Sequence, residues 1–217
     1  MSTHQEHAHS HASSHPPHPT REDNDVELTY GEARYLALKA LLIEKGIVTA
    51  EEIRKQLEVN ERGKPEQGAR MVARAWVDPD FKKRMLADAK TAALELDLEV
   101  TDAGLLAMEN TPSVHNLIVC TLCSCYPRSL LGEPPAWYVS KAYRSRAVRE
   151  PRKVLREFGL VIPDDVEVRV HDSNADMRYM VLPMRPEGTE GMSEAELASL
   201  VTRDCLVGAA LPRKPNA

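Results

Sequence analysis

No stretch of this 217-residue chain stays apolar for the roughly 20 residues needed to cross a bilayer. The N-terminal region also lacks an apolar segment suited to export. Nor is there a basic excess: 28 Lys and Arg stand against 33 Asp and Glu, which disfavours nucleic acid or an anionic membrane as the main partner. Cysteines spaced to close long loops are missing as well. Of the four present, three fall within six residues, a poor disulfide framework but a usual arrangement for metal or redox chemistry in a reducing compartment. The expectation is a cytoplasmic protein with room for one compact domain and attached segments. Cys205 stands apart and reads as a small buried hydrophobe.

The chain divides into three parts. Residues 1–24 hold His4, His7, His9, His11, His15 and His18 among Ser, Pro and Ala, and read as a disordered tail. Its other possible use is transient capture of a divalent metal. Residues 25–97 read as helical, an arm that packs on a partner subunit. Leu38, Leu41 and Leu42 recur at helical spacing before Gly46. Thr49 and Glu52 form a capping-box pattern. Asp78-Pro79 opens a further helix with Phe81, Met85, Leu86 and Ala89 on one face. Residues 98–217 read as a mixed catalytic domain, so the fold class is α+β. Leu117-Ile118-Val119 suggests a buried strand running into the cysteines. Helices follow Pro134-Pro135 and Pro151, the latter closed by Gly159. Val166, Val168 and Val170 are expected to pair with Met180-Val181-Leu182 across the turn-rich Asp172-Ser173-Asn174, and Ser193 with Glu196 caps a last helix.

The loop Cys120-Thr121-Leu122-Cys123-Ser124-Cys125 carries the chemistry. A structural zinc site needs four protein ligands, and the candidates for a fourth are the distant Cys205 or His115. An iron–sulfur cluster also normally asks for four cysteines. Neither explains why one residue alone separates Cys123 from Cys125. A claw does explain it: two thiolates grip an ion together with the backbone nitrogens of Ser124 and Cys125, and Cys120 adds a third sulfur. Such donors favour a trivalent ion and leave one octahedral position open for Lewis-acid chemistry.

Val119 through Pro127 resembles the metal-binding signature of nitrile hydratase α subunits. The resemblance extends to Ala73–Pro79, Leu131–Tyr138, Tyr143–Arg146, Arg149–Leu155, Arg178–Pro183, Arg185–Gly191 and Val201–Gly208, covering roughly residues 28–211. It implies the α-chain fold of that family, with the ion held by Cys120, Cys123, Ser124 and Cys125. It further implies Cys123 as a sulfinic and Cys125 as a sulfenic acid, their oxygens held by arginines of a β subunit. Thr121 and Tyr126 imply non-corrin cobalt(III), one per chain, rather than iron(III). The implied reaction hydrates a nitrile to its amide, with Cys123 and Ser124 completing the catalytic loop; of the three nucleophiles the resemblance allows, the Cys125 oxygen, a metal hydroxide or a water activated by them, the Cys125 oxygen is the one expected. The implied partners are a β subunit, in αβ or α2β2 assemblies, and a chaperone for cobalt insertion.

Arg178 lies where the family places an arginine bonded to β-subunit histidines. Arg128 departs from the tryptophan of many cobalt enzymes and is similar to the arginine in thiocyanate hydrolase γ subunits, a related family that releases carbonyl sulfide and ammonia. A thiocyanate hydrolase subunit is therefore the alternative enzyme, and a non-enzymatic metal-handling protein the second alternative. His115 and His171 read as structural, and Trp76, Trp137 and Tyr138 as packing residues.

Overall fold

The structure, a computed structural model, describes residues 29–53 and 64–215. The histidine-rich tail lies outside the described residues, as does the continuation of the helix expected after Thr49. Two compact units are distinguished, one ending at Ala50 and one running from Glu51 to Ala217. The described part of the first, residues 29–50, contains helix α1, Tyr30–Glu44, which ends before Gly46 in the left-handed conformation (φ 66°).

From residue 64 onward the second unit contains α2 (Pro65–Val77), α3 (Pro79–Ala87) and α4 (Ala89–Leu94). Asp78 accepts hydrogen bonds from the Asp80 and Phe81 amides, as its position before Pro79 predicts. Ala89 belongs to a separate helix from Phe81 and Met85. Asp88, in extended backbone, breaks the run and caps α4 through the Lys90 and Thr91 amides. Helix α2 buries Gly68, Ala69, Met71, Val72, Ala73 and Ala75. A Cβ at Gly68 would collide with the side chains of Leu131 and Leu206, so glycine is what permits this close approach.

Strands β1 (Leu105–Glu109), β2 (Val114–Val119), β3 (Glu167–Asp172) and β4 (Arg178–Leu182) form two parallel pairs. The expected pairing of β3 with β4 is incorrect: β3 pairs with β2, setting Val119 opposite Asp172, and β4 pairs with β1, setting Leu105 opposite Arg178. The turn-rich 172–177 segment carries the chain from one pair to the other instead of closing a hairpin. Parallel strands need long crossovers. The β2–β3 crossover contains the cysteine loop and helices α5 (Arg128–Leu131), α6 (Ala136–Val139), α7 (Lys141–Ala147) and α8 (Pro151–Glu157). Ser140 caps α7 and thereby splits the helix expected through Trp137 and Tyr143. Helix α9 (Glu194–Ser199) has the expected Ser193–Glu196 capping box, but it is not the last: α10 (Arg203–Val207) follows.

The core joins Met71, Phe81 and Met85 to Leu117, Ile118, Leu130, Leu155, Met180, Leu182 and Leu206, so α2–α4 share one apolar interior with the strands. Between β1 and β2 the chain reverses tightly at Thr111–Val114. The starts of β1 and β4 therefore lie beside the ends of β2 and β3. That edge is where the cysteine loop emerges. No helix among the described residues is long and apolar enough to cross a membrane.

Candidate metal centre

Cys120 follows Val119 directly and is fully buried, whereas Cys123 is exposed and Cys125 half-buried. The three sulfurs lie within 4.8 Å of one another, and among the described residues this is the one such group of metal-ligating side chains. Cys123 Sγ is 3.8 Å from Cys120 Sγ and 3.2 Å from Cys125 Sγ. The turn closes because Ser124 takes a left-handed φ of 87°, a conformation costly for a side chain bearing Cβ. The amides of Cys123 and Ser124 both donate to Cys120 Sγ at 3.2 Å. Burial alone would raise the Cys120 thiol, but the amides of Cys123, Cys125, Ser124 and Leu122 bring its pKa down to about 7. Cys125 is pushed up to about 12 by burial and by hydrogen bonding to Cys123, against the pull of the Arg178 charge.

The loop is tied down from well-separated parts of the chain. Asp172, at the end of β3, accepts from the Thr121 amide (2.8 Å) and the Thr121 hydroxyl (2.6 Å). Arg144 on α7 donates to the Leu122 carbonyl at 3.0 Å. Tyr138 on α6 donates to the Cys125 carbonyl at 2.7 Å, and Tyr143 to the Ile118 carbonyl at 2.6 Å. Buried Tyr126 packs edge-on against Tyr138 with ring centroids 5.2 Å apart. Trp137 stacks among Tyr138, Tyr143 and Phe158, and Trp76 donates to the Pro183 carbonyl, so all three aromatics expected to pack do so.

A cavity of about 440 Å³ opens on the loop, lined by Thr101, Asp102, Ala103, Cys123, Ser124, Cys125, Tyr126, Arg128 and Arg178. Of the residues expected at the site, all but Cys120 and Thr121 line it; Cys120 lies buried at the foot of the loop and Thr121 turns to Asp172. Arg178 Nε stands 3.8 Å from Asp102, while its Nε and Nη1 are buried without a hydrogen-bond partner. Arg128 Nη1 donates to both Glu133 carboxylate oxygens, at 3.0 and 2.8 Å. As parts of the site, Asp102, Glu133, Arg144 and Asp172 are not evident from the sequence, and neither is the hydrogen bond that Tyr138, expected only to pack, makes to the loop. Asp172 looked like a turn residue, and only its register opposite Val119, a long-range fact, brings it to the loop.

The donor set fits the claw better than a zinc site. Cys205 is buried with its sulfur against Thr202, and His115 lies between the Gly208 carbonyl and Asn110, so neither candidate fourth ligand belongs to the group. The loop amides already face the Cys120 sulfur, as main-chain donors would have to.

The family model for the nitrile hydratase alpha chain matches residues 29–210. The low-molecular-weight cobalt-containing nitrile hydratase subunit alpha of Rhodococcus rhodochrous is 51% identical over 187 residues, spanning 85% of this chain and 90% of that one. The thiocyanate hydrolase subunit gamma of Thiobacillus thioparus is 44% identical over 190 residues, spanning 82% and 78%. Among solved structures, a double histidine mutant of the Fe-type nitrile hydratase from Comamonas testosteroni Ni1 superposes with a TM-score of 0.73 at 42% identity, over 85% of this chain and 91% of that chain.

Proposed function

This chain belongs to the nitrile hydratase α-chain family, and from that premise we propose that it hydrates nitriles to amides at a cobalt(III) ion held by Cys120, Cys123, Ser124 and Cys125. The observation that carries this reading is the convergence of three sulfurs within 4.8 Å of one another beside one cavity, with no fourth side-chain ligand among the described residues. Thr121, Tyr126 and a cobalt-containing relative support cobalt over iron. When bound, the ion supplies Lewis acidity that polarises a nitrile carbon.

The remaining chemistry falls to the chain. Hydration adds one water across the C≡N bond, oxygen to carbon and both protons to nitrogen, so no oxidant or reductant is consumed. Cys125, facing the cavity, carries the oxygen that attacks the nitrile carbon; as its S–O bond breaks, the oxygen of water replaces it on sulfur and the two water protons pass to nitrogen, which regenerates the cysteine, while Cys123 carries the sulfinate. Ser124, by its left-handed turn, directs its own amide inward. Asp172, Arg144 and Tyr138 hold the loop carbonyls and amides in place, so little reorganisation remains for the reacting state. A β subunit completes the site. Leu122, 83% exposed at the loop tip, is the feature that calls for it. A chaperone loads the cobalt in the reducing cytoplasm.

Arg128 at the cavity, with the gamma-subunit relative, favours a second reading as a thiocyanate hydrolase subunit. The test uses the co-expressed complex: amide formation from acrylonitrile against carbonyl sulfide release from thiocyanate, with elemental analysis and the mass of the 120–125 peptide. Cobalt, amide formation and added oxygen on Cys123 and Cys125 are expected. A different metal, or carbonyl sulfide without amide, overturns the proposal. Unoxidised cysteines would instead fit a metal-handling protein.

A further inference from the structure

The cavity lined by the cysteine loop contains two cations, and each has a carboxylate beside it. Arg178 has Asp102 at 3.8 Å, inside the cavity wall. Arg128 has Glu133, which does not line the cavity but reaches the guanidinium from the rim. The lining alone, cysteines aside, carries two arginines and one aspartate, and it is Glu133 at the rim that offsets the remaining positive charge.

Local sequence fixes this second pair. Helix α5 places Arg128 one turn before its end, and Gly132, at φ 74° and ψ −156°, turns the chain in a way that a side chain with Cβ resists. Pro134 and Pro135 then restrict the backbone that follows and, with it, Glu133. Glu133 is thus held opposite Arg128 by a turn rather than by a flexible strand of chain, which lowers the entropy lost in pairing. A free guanidinium beside a reactive centre attracts anions, and one already bonded to a carboxylate attracts them far less.

We infer that Glu133 is a specificity-determining residue: by neutralising Arg128 it tunes the cavity to neutral, dipolar substrates and against small anions such as thiocyanate. This rests on the nitrile-hydrating reading above, because it names the charge class of the substrate at that same site. Side chains are 39% exposed for Arg128 and 70% for Glu133, so Glu133 can be changed without disturbing the core.

The experiment uses the metal-loaded complex with its partner subunit and compares wild type, Glu133→Gln and the double variant Arg128→Gln with Glu133→Gln. Thiocyanate is titrated as a competitive inhibitor of acrylonitrile hydration. In Glu133→Gln its inhibition constant, taken relative to the KM of acrylonitrile, falls about fivefold, and the fall shrinks at high salt. The double variant returns to the wild-type ratio or above it. An unchanged ratio in Glu133→Gln overturns the inference, as does an equal fall when Arg128 is absent. A wild-type complex that hydrates no acrylonitrile defeats the functional reading. Calorimetric titration of thiocyanate into the same three proteins then decides the role of Glu133 by the same two comparisons.

Discussion

Asp172 accepts two hydrogen bonds from Thr121, one residue away from the first sulfur, so its charge and both its oxygens fix the loop's entry. Replacing it by Asn leaves one acceptor and turns the other into a donor facing a donor. The expected result is a roughly 10–100-fold loss of metal affinity with the fold retained; cobalt content after dialysis against a chelator measures it, and full retention would refute the anchoring role. Tyr138→Phe removes one hydrogen bond, to the Cys125 carbonyl, and should cost about 1 kcal/mol in denaturant unfolding. Residues of this kind were the least legible in the sequence. The cysteines announced themselves by spacing, whereas Asp172, Tyr138 and Arg144 matter only through contacts across 51, 13 and 22 positions.

Among the elements, local signals were read well and long-range ones poorly. Pro79 after Asp78, Gly159 after α8 and the Ser193–Glu196 box each stop or start a helix where the backbone chemistry requires it. The pairing of β3 with β4 failed because adjacency suggests a hairpin, while burial favours two parallel pairs closed by crossovers. Packing between elements was equally hidden: nothing near Gly68 reveals that Leu131 and Leu206 will press on it. Gly68→Val should therefore overpack the α2 contact and lower stability by about 1–3 kcal/mol. Denaturant midpoints of the complex would show it. An unchanged midpoint would mean that α2 shifts freely, against the close contact seen here.

At the level of the whole molecule, a buried polar chain links the two strand pairs to the C-terminal segment. His115 Nε2 lies 2.7 Å from the Gly208 carbonyl and its Nδ1 3.3 Å from the Asn110 amide nitrogen, so the neutral ring donates at one nitrogen and accepts at the other. His171 Nε2 donates to Asn116 Oδ1. Burial lowers both histidine pKa values below 6.5. The unfolded chain then binds these protons first as pH falls, so stability is full above about 6.5 and declines below it. Carboxylates lowered by ion pairing, such as Glu150, lose their contribution only below about 4.5, and the window between isolates the histidines. Unfolding midpoints at pH 6.5 and 5.5, both below the Cys120 pKa of about 7, should differ in that direction, and equal midpoints would contradict it. Crossover topology has one more consequence, in time rather than space. Thr121 leaves the ribosome 51 residues ahead of Asp172, a lag of about 3–10 s at ordinary synthesis rates. For that interval the three thiols are born without their cradle, and an ion can meet a finished one only after the chain has been made through Asp172.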